Sequence, residues 1–220
     1  YSFGGSLYFN DGDKDQSRSL FPCSLTVKPS PELDLKYFMQ RDLYGDNPLT
    51  EDVKEPVIPA EFTLLIHNKG MGEAQNVKVI THQPEVVENE KGLAADFAIV
   101  SSSLNGKDKA MALATDIATD FGAIPAGSCS YATWDITCSL LGHLKEYNVG
   151  YTHVTSYNNP DLSLLDKVTV HELIHSINTK IGDKTYRAWV VNDEADTYDL
   201  PDRIYFSNGT DAAVHSLPDA

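Results

Sequence analysis

The sequence predicts an all-β protein built around a two-sheet β-sandwich. Three observations lead to this prediction: short runs of alternating apolar and polar residues recur, Gly and Pro separate these runs, and few segments have the apolar spacing of a helix. The 220 residues are 41% hydrophobic and 10% aromatic, which is enough for one large core or two ordinary ones. We therefore expect most of the chain to fold.

Residues 1–31 contain two β-rich runs on either side of a Gly/Asp-rich turn, followed by a link that includes Pro29 and Pro31. We expect a β-hairpin that belongs to a neighbouring or split β module. The turn contains Asp11, Asp13 and Asp15, but no Glu follows at the spacing of a helix-loop-helix calcium site. We therefore interpret the turn as a solvated hairpin tip.

Residues 32–158 contain the clearest strand patterns and form the predicted sandwich. Near the start of this segment, residues 68–70 (Asn-Lys-Gly) provide the backbone freedom for a chain reversal. Apolar residues alternate on both sides of that turn, with Phe62, Leu64 and Ile66 before it and Val77 and Val79 after it. This pattern predicts a half-buried β-hairpin.

A second pattern follows the Pro-Ala-Gly turn at residues 125–127. Along residues 131–138 the chain alternates between two faces, with Ala132, Trp134, Ile136 and Cys138 on one and Tyr131, Thr133, Asp135 and Thr137 on the other. Trp134 is the predicted central core side chain. Residues 148–158 are a further predicted strand, whereas the region 107–120 fits either one short helix or an edge strand.

Two stretches carry a family resemblance: "FTLLIHNKGMGEAQNVKV", and "FGAIPAGSCSYATWDI" with its Trp-bearing strand. The matching positions in the first stretch are Asn68, Gly70, Ala74, Asn76 and Val77. From about Glu32 to Tyr157 the chain resembles the immunoglobulin-like modules of bacterial secreted and surface proteins known as CARDB or NEW-type domains. The resemblance implies an immunoglobulin-like β-sandwich with an adhesive, spacer or substrate-presenting role, and it brings no catalytic residues.

Residues 159–220 are predicted to form a β-rich module or part of one, yet they contain a string that also fits a zinc site. "HELIH" places His171 and His175 four residues apart around Glu172, and Glu194 follows nineteen residues after the second histidine. In a helix, both imidazoles would bind one Zn²⁺ while Glu172 polarised its water. The arrangement resembles the gluzincin metallopeptidases, which implies His171, His175 and Glu194 as zinc ligands and Glu172 as general base.

The surrounding sequence favours a strand over a helix. Residues 168–177 are rich in β-branched side chains, and a Gly-Asp turn at 182–183 precedes another strand-like run, which predicts an antiparallel hairpin over 168–191. In a strand, His171 and His175 would share a face but lie about 13 Å apart, too far to bind one ion. We therefore assign no catalytic, cofactor-binding or metal-binding residue, and keep the zinc peptidase as the alternative hypothesis.

Charge and composition narrow the possible partners. The formal charge of −15 and the pI near 4.7 argue against nucleic acid and anionic lipid, which an acidic surface repels. No apolar run has the length of a membrane span. The chain begins with Tyr1 rather than Met, so we expect a piece of a larger multi-domain protein. Cys23, Cys129 and Cys138 are too few for a disulfide scaffold, and the separation of nine places the last two on opposite faces of one strand.

The predicted function is a non-catalytic structural or adhesive region of a large bacterial protein that is secreted or bound to the cell envelope. The eleven Tyr and two Trp make a carbohydrate or protein ligand a candidate partner, because aromatic faces bury area at low entropic cost. The acidic loop that contains Asp193, Asp196, Asp199 and Asp202 fits either a Ca²⁺ site or a solvated loop. The two ends of the chain either fold together into a second β unit or are separate partial modules.

Overall fold

A computed structural model describes residues 1–50, 52–81, 95–109, 117–143, 164–193 and 200–215, and every regular element in these ranges is a β-strand. The strands are β1 (Ser2–Asn10), β2 (Asp15–Ser24), β3 (Leu33–Met39), β4 (Asp42–Leu43), β5 (Ala60–Asn68), β6 (Ala74–Thr81), β7 (Phe97–Leu104), β8 (Lys107–Asp108), β9 (Ile117–Ile124), β10 (Cys129–Cys138), β11 (Gly142–His143), β12 (Leu165–Ile181), β13 (Lys184–Asn192), β14 (Arg203–Phe206) and β15 (Asp211–Ala213). The predicted all-β class is confirmed. The described residues include no helix that is long and apolar enough to cross a membrane.

Nine strands form one large sheet in the order β15-β14-β13-β12-β3-β5-β10-β7-β8. Only the β12–β3 pair is parallel among these neighbours, and all the others are antiparallel. β12 and β13 form the hairpin that the sequence predicts over 168–191. Its two-residue turn begins with Gly182, whose φ of +61° suits glycine at the first central position of a hairpin turn.

β6 and β9 pair with each other in a second, two-stranded sheet. The predicted hairpin between the strands now labelled β5 and β6 is therefore wrong in its pairing, because the chain leaves the large sheet after β5. The chain reversal after β5 packs closely against residues 29–32. A Cβ on Gly72 would lie 2.0 Å from the Pro29 carbonyl oxygen, and one on Gly70 would lie 2.4 Å from the Glu32 nitrogen. Glycine at both positions permits this close approach.

The side chain of Asn68 forms hydrogen bonds with each segment that meets at this chain reversal, which we call the corner. Its side-chain amide donates to the carbonyl oxygens of Gly72 (2.8 Å) and Ile124 (3.0 Å), and its side-chain oxygen accepts from the backbone N–H of Glu32 and Gly70. The Asn68 side chain is fully buried, so these bonds satisfy its donors and its acceptor where water does not reach. The corner thus joins the two sheets at the ends of β5 and β9.

The first core lies between the β6–β9 pair and one face of β3, β5 and β10, which we call the core face. As predicted, the face of β10 that contains Trp134 is buried there, together with the apolar face of β5; Leu35, Tyr37, Phe62, Leu64, Ile66, Phe121, Ile124, Ala132, Trp134, Ile136 and Cys138 are members. Two packed sheets agree with the predicted sandwich. The immunoglobulin-like topology stays a prediction.

A second core covers the opposite face of β3, β5 and β10, which we call the cleft face. It contains Phe38, Leu65, Leu173, Trp189, Val191 and Tyr205. The Trp189 ring on β13 stacks on Phe38 of β3 with centroids 4.9 Å apart and meets Tyr131 of β10 edge-on at 5.3 Å. Since β12, β3 and β5 separate β13 from β10 in the sheet order, the large sheet curls so that β13 lies over the cleft face.

The strands of the three predicted segments, 1–31, 32–158 and 159–220, are distributed over the sheets as follows. β1 and β2 form the predicted hairpin in the segment 1–31, with every residue exposed. Strands β12 to β15, from the segment 159–220, continue the sheet formed by strands of the segment 32–158. The boundary near 158, the predicted strand 148–158 and residues 110–116 lie outside the described residues. Within 107–120, residues 107–108 belong to β8 and 117–120 to β9.

Candidate functional site

A polar cleft opens on the cleft face beside the second core. Its volume is about 370 Å³, and we call it the Glu61 cleft after its central residue. Six strands or turns line it: Glu61 from β5, Tyr131, Thr133 and Asp135 from β10, Ser101 and Ser103 from β7, Gly106 and Asp108 from the β7–β8 hairpin, Asn178 from β12 and Arg187 from β13. Period-two alternation places Tyr131, Thr133 and Asp135 on one face of β10, as the sequence predicts.

Glu61 is the centre of a hydrogen-bond network at one wall of the cleft. Its carboxylate accepts from Arg187 Nη2 at 2.8 Å, from Trp189 Nε1 at 3.2 Å, from Thr63 Oγ1 at 3.0 Å and from the Ser176 hydroxyl. These donors come from three strands, β5, β12 and β13. Because its side chain is only 14% exposed, the charged hydrogen bond to Arg187 is poorly screened by solvent.

Asp135 lies beside Glu61 on the sheet face that forms the floor of the cleft. It lies directly opposite Glu61 in the β10–β5 register, an arrangement in which two carboxylates repel each other. The Arg187 guanidinium compensates for the charge of Glu61, whereas the Ser101 hydroxyl donates to Asp135 without neutralising it. The Asp135 side of the cleft is therefore electronegative.

Tyr131 provides the aromatic surface of the cleft. Burial raises the pKa of its hydroxyl, so the phenol stays protonated at neutral pH and is available as a donor. A Cβ at Gly106 would lie 3.1 Å from this hydroxyl. Asn105 and Gly106 both have positive φ, of +51° and +73°, as in the two-residue hairpin turn that Asn-Gly favours. The turn carries β8 and Asp108 to the edge of the cleft.

A second polar group on the cleft face surrounds His171, which is buried. Its Nδ1 lies 2.8 Å from Asp193 Oδ1 and its Nε2 lies 2.9 Å from Thr169 Oγ1. The ring packs against Phe38 and Tyr205, with centroid distances of 5.3 and 4.5 Å. Burial raises the pKa of Asp193, but the hydrogen bond and charge of His171 and the Tyr205 hydroxyl outweigh it, so that pKa lies below its ordinary value. Both ring nitrogens of His171 thus have partners within the protein.

The zinc hypothesis needs a helix, and the structure has a strand. β12 contains His171, Glu172 and His175, and the expected extended backbone around Leu173 is confirmed. The expectation that the two histidines share a face is wrong. Leu173 pairs with Val191 and His175 pairs with Val190, so Ile174 is an extra residue, a β-bulge that reverses the alternation.

His171 therefore points to the cleft face with Leu173, and His175 is exposed on the other face. Glu172 forms an ion pair with Arg41, with Arg41 Nη2 and Glu172 Oε2 2.8 Å apart. Glu194 lies outside the described residues, as do Asp196 and Asp199 of the acidic loop. In the same loop, Asp202 accepts a hydrogen bond from the Asp193 backbone at 2.8 Å. No group of three or more His, Cys, Asp or Glu in the described ranges is arranged to hold a metal ion.

Asp34, His67 and Cys129 form a row across β3, β5 and β10 at the far end of the cleft face. Asp34 is buried and pairs with Lys36 and with Lys69, the latter at 2.6 Å. Burial raises the pKa of the Cys129 thiol to about 11, so it remains protonated at neutral pH. All three cysteines are free, and the prediction that Cys129 and Cys138 occupy opposite faces of one strand is confirmed.

A second hollow, of about 520 Å³, lies against the β1–β2 hairpin and is lined by residues 8–10 and 15–17. These residues come from one exposed hairpin, so no core packing fixes their side chains. The Glu61 cleft is lined by residues of six paired strands, β5, β7, β8, β10, β12 and β13, and is the better candidate site. Comparison of the chain with protein-family models, curated proteins and solved structures finds no match.

Proposed function

We propose that this chain is a non-catalytic binding region of a large bacterial protein that is secreted or bound to the cell envelope, and that the Glu61 cleft is its ligand-binding surface. The observation that carries the proposal is the preorganised wall of the cleft. The Glu61 network fixes side chains from three strands before any ligand arrives. Fixed polar groups on a rigid sheet reduce the entropic cost of binding.

The same network supports a binding role over a catalytic one. An ionised carboxylate has about four acceptor positions. Arg187, Trp189, Thr63 and Ser176 all donate to Glu61, so its oxygens have little capacity left for proton transfer or nucleophilic attack. The paired carboxylates of the cleft are therefore better suited to orienting a ligand than to reacting with it.

The adhesive role in an envelope protein is supported by the turn residues that resemble CARDB or NEW-type modules. Asn68 and Gly70 belong to the corner that joins the two sheets, and Asn76 has a positive φ of +54° beside an irregularity of the β6–β9 pair. These positions serve the architecture of a sandwich. A module with this role would present its cleft from within a longer chain.

Binding of the purified chain to arrayed glycans and peptides tests the proposal. We expect a specific ligand whose binding is weakened when Arg187 is replaced by Met, since this removes the guanidinium and keeps most of the side-chain volume. Replacement of the exposed Lys14 by Met at the β1–β2 turn is the matched control and should leave binding unchanged.

Two outcomes would contradict the proposal. One is ligand binding that is indifferent to every cleft substitution. The other is stoichiometric zinc that disappears in a His175→Ala variant together with chelator-sensitive peptidase activity, which would favour the metallopeptidase alternative.

A further inference from the structure

We infer that the ligand of the Glu61 cleft is a neutral saccharide, bound through its hydroxyl groups by Asp135, Asn178 and Arg187 and packed against Tyr131. This inference rests on the proposed function and specifies its ligand. Four properties of the cleft support it: the pairing of its strands, its charge, the mixture of its hydrogen-bonding groups and its size.

The two strands that form the floor of the cleft, β5 and β10, are hydrogen-bonded on both sides. β5 lies between β3 and β10, and β10 lies between β5 and β7. An extended peptide that binds by strand addition needs an unpaired edge. The floor of the cleft therefore recognises its ligand through side chains, which suits a compact molecule with many polar groups.

The charge of the cleft disfavours an anion. Glu61, Asp108 and Asp135 are acidic, and Arg187, the single basic residue among the described residues that line the cleft, already donates to Glu61. The chain as a whole carries a formal charge of −15. A phosphate, sulfate or carboxylate group would meet uncompensated carboxylates, so the ligand is one that donates hydrogen bonds.

The remaining groups both donate and accept. Asn178 offers an amide, Ser103 and Thr133 offer hydroxyls, and the protonated Tyr131 offers a phenol. A sugar hydroxyl is itself a donor and an acceptor, so adjacent hydroxyls can donate to Asp135 while they accept from Arg187 or Asn178. An ammonium group, by contrast, uses only acceptors and would leave these donors unpaired. The mixture favours a saccharide over an amine.

Tyr131 and the cleft volume fit a sugar ring. The edge contact between Tyr131 and Trp189 fixes the orientation of the Tyr131 ring, which is partly exposed and offers an apolar surface to the C–H groups of a sugar. The volume of about 370 Å³ lies at the small end of ligand sites, which span roughly 300–1,000 Å³. We therefore expect one or two sugar rings in the cleft rather than a long chain.

The experiment screens the chain against an array of neutral mono- and disaccharides, with sulfated sugars and a trilysine peptide as anionic and cationic probes. We expect a neutral saccharide to bind, and calorimetry to show affinity reduced about tenfold or more in Asp135→Asn and in Asn178→Ala, since each removes hydrogen bonds to the ligand. Asp13→Asn at the β1–β2 turn is the control for Asp135→Asn. Unchanged near-UV circular dichroism would show that the cleft variants remain folded.

The salt dependence of binding distinguishes a neutral saccharide from a cationic ligand. Binding through sugar hydroxyls should change less than about twofold between 0.05 and 0.5 M NaCl, whereas an ammonium bound to exposed carboxylates should be strongly screened. Salt-sensitive binding of trilysine that depends on Asp135, without saccharide binding, would overturn the saccharide inference and leave the proposed function standing. Absence of any ligand that responds to the cleft variants would overturn both.

Discussion

The core face of β3, β5 and β10 is buried along all three strands, whereas on the cleft face the β10 residues are only partly buried. The core face packs apolar residues against β6 and β9, and its centre is Trp134, which is 3% exposed and stacks on Phe62 at 5.3 Å. The cleft face combines aromatic residues with charged ones, among them Glu61 and Asp34. A strand with period-two alternation can thus form a core with one face and the floor of a polar cleft with the other.

The two faces of the sheet therefore contribute to stability in different ways. Apolar residues on the core face contribute stability by leaving water, and they need no specific partner. Polar residues on the cleft face stabilise the fold only while each has its partner, because an unpaired buried group costs free energy. We therefore expect substitutions on the core face to lower stability the most. The effect of a substitution on the cleft face should depend on which polar groups lose their hydrogen-bond partner.

The largest expected effect is that of Trp134→Ala on the core face. Removing a large buried aromatic side chain leaves a cavity, and we expect the free energy of unfolding to fall by about 3–5 kcal/mol. Equilibrium urea unfolding followed by circular dichroism measures this. Phe21→Ala on the exposed β1–β2 hairpin, where Phe21 is 98% exposed, is the control and should change stability by less than about 0.5 kcal/mol. Similar effects of the two variants would contradict the described core.

The next largest effect is a difference in stability between the His171→Ala and His175→Ala variants, which alter the two histidines of the zinc-like string. His171→Ala should lower the free energy of unfolding by about 2 kcal/mol, because the Asp193 carboxylate loses a hydrogen-bond partner on the cleft face. His175→Ala should change it by less than about 0.5 kcal/mol, because His175 is exposed on the opposite face. Equal destabilisation, or equal loss of bound zinc measured by atomic absorption, would show that the two residues act together.

The alternation of single strands is the part of this fold that could be predicted from the sequence. It assigns Trp134 to the core and Asp135 to the opposite, polar face, and both assignments are confirmed. The β12–β13 hairpin could be predicted as well, since a Gly-Asp turn joins two strand-like runs. Alternation does not specify a partner strand, however. For this reason the sequence predicts a hairpin of β5 and β6, whereas β6 pairs with β9 in the second sheet.

The cleft itself was missed for two physical reasons. Glu61 and Arg187 are 126 positions apart, and only the curl of the sheet brings them together, so no local spacing marks the pair. The bulge at Ile174 has no evident signal in the residues around it, yet it reverses the faces of all later residues in β12. One local signal was available: the Asn-Gly pair at 105–106 predicts the β7–β8 hairpin and therefore the rim of the cleft.

The smallest of these effects, and the one that depends on pH, concerns Asp34 on the cleft face. Burial raises the pKa of Asp34, but hydrogen bonds and charge from Lys36 and Lys69 outweigh it, so the pKa lies below its ordinary value of 3.8. A lowered carboxyl pKa contributes stability that is fully present above the unfolded-state value and is lost as the pH falls through the folded-state value. We expect Asp34→Asn to lower the free energy of unfolding by about 1–2 kcal/mol at pH 7, because the lysines remain partly solvated.

Urea unfolding at pH 7, 5 and 3 should show this difference unchanged down to about pH 5 and reduced at pH 3. Asp13→Asn is the control for the charge change, and a difference between wild type and Asp34→Asn that stayed constant to pH 3 would mean that the ion pairs with Lys36 and Lys69 contribute nothing.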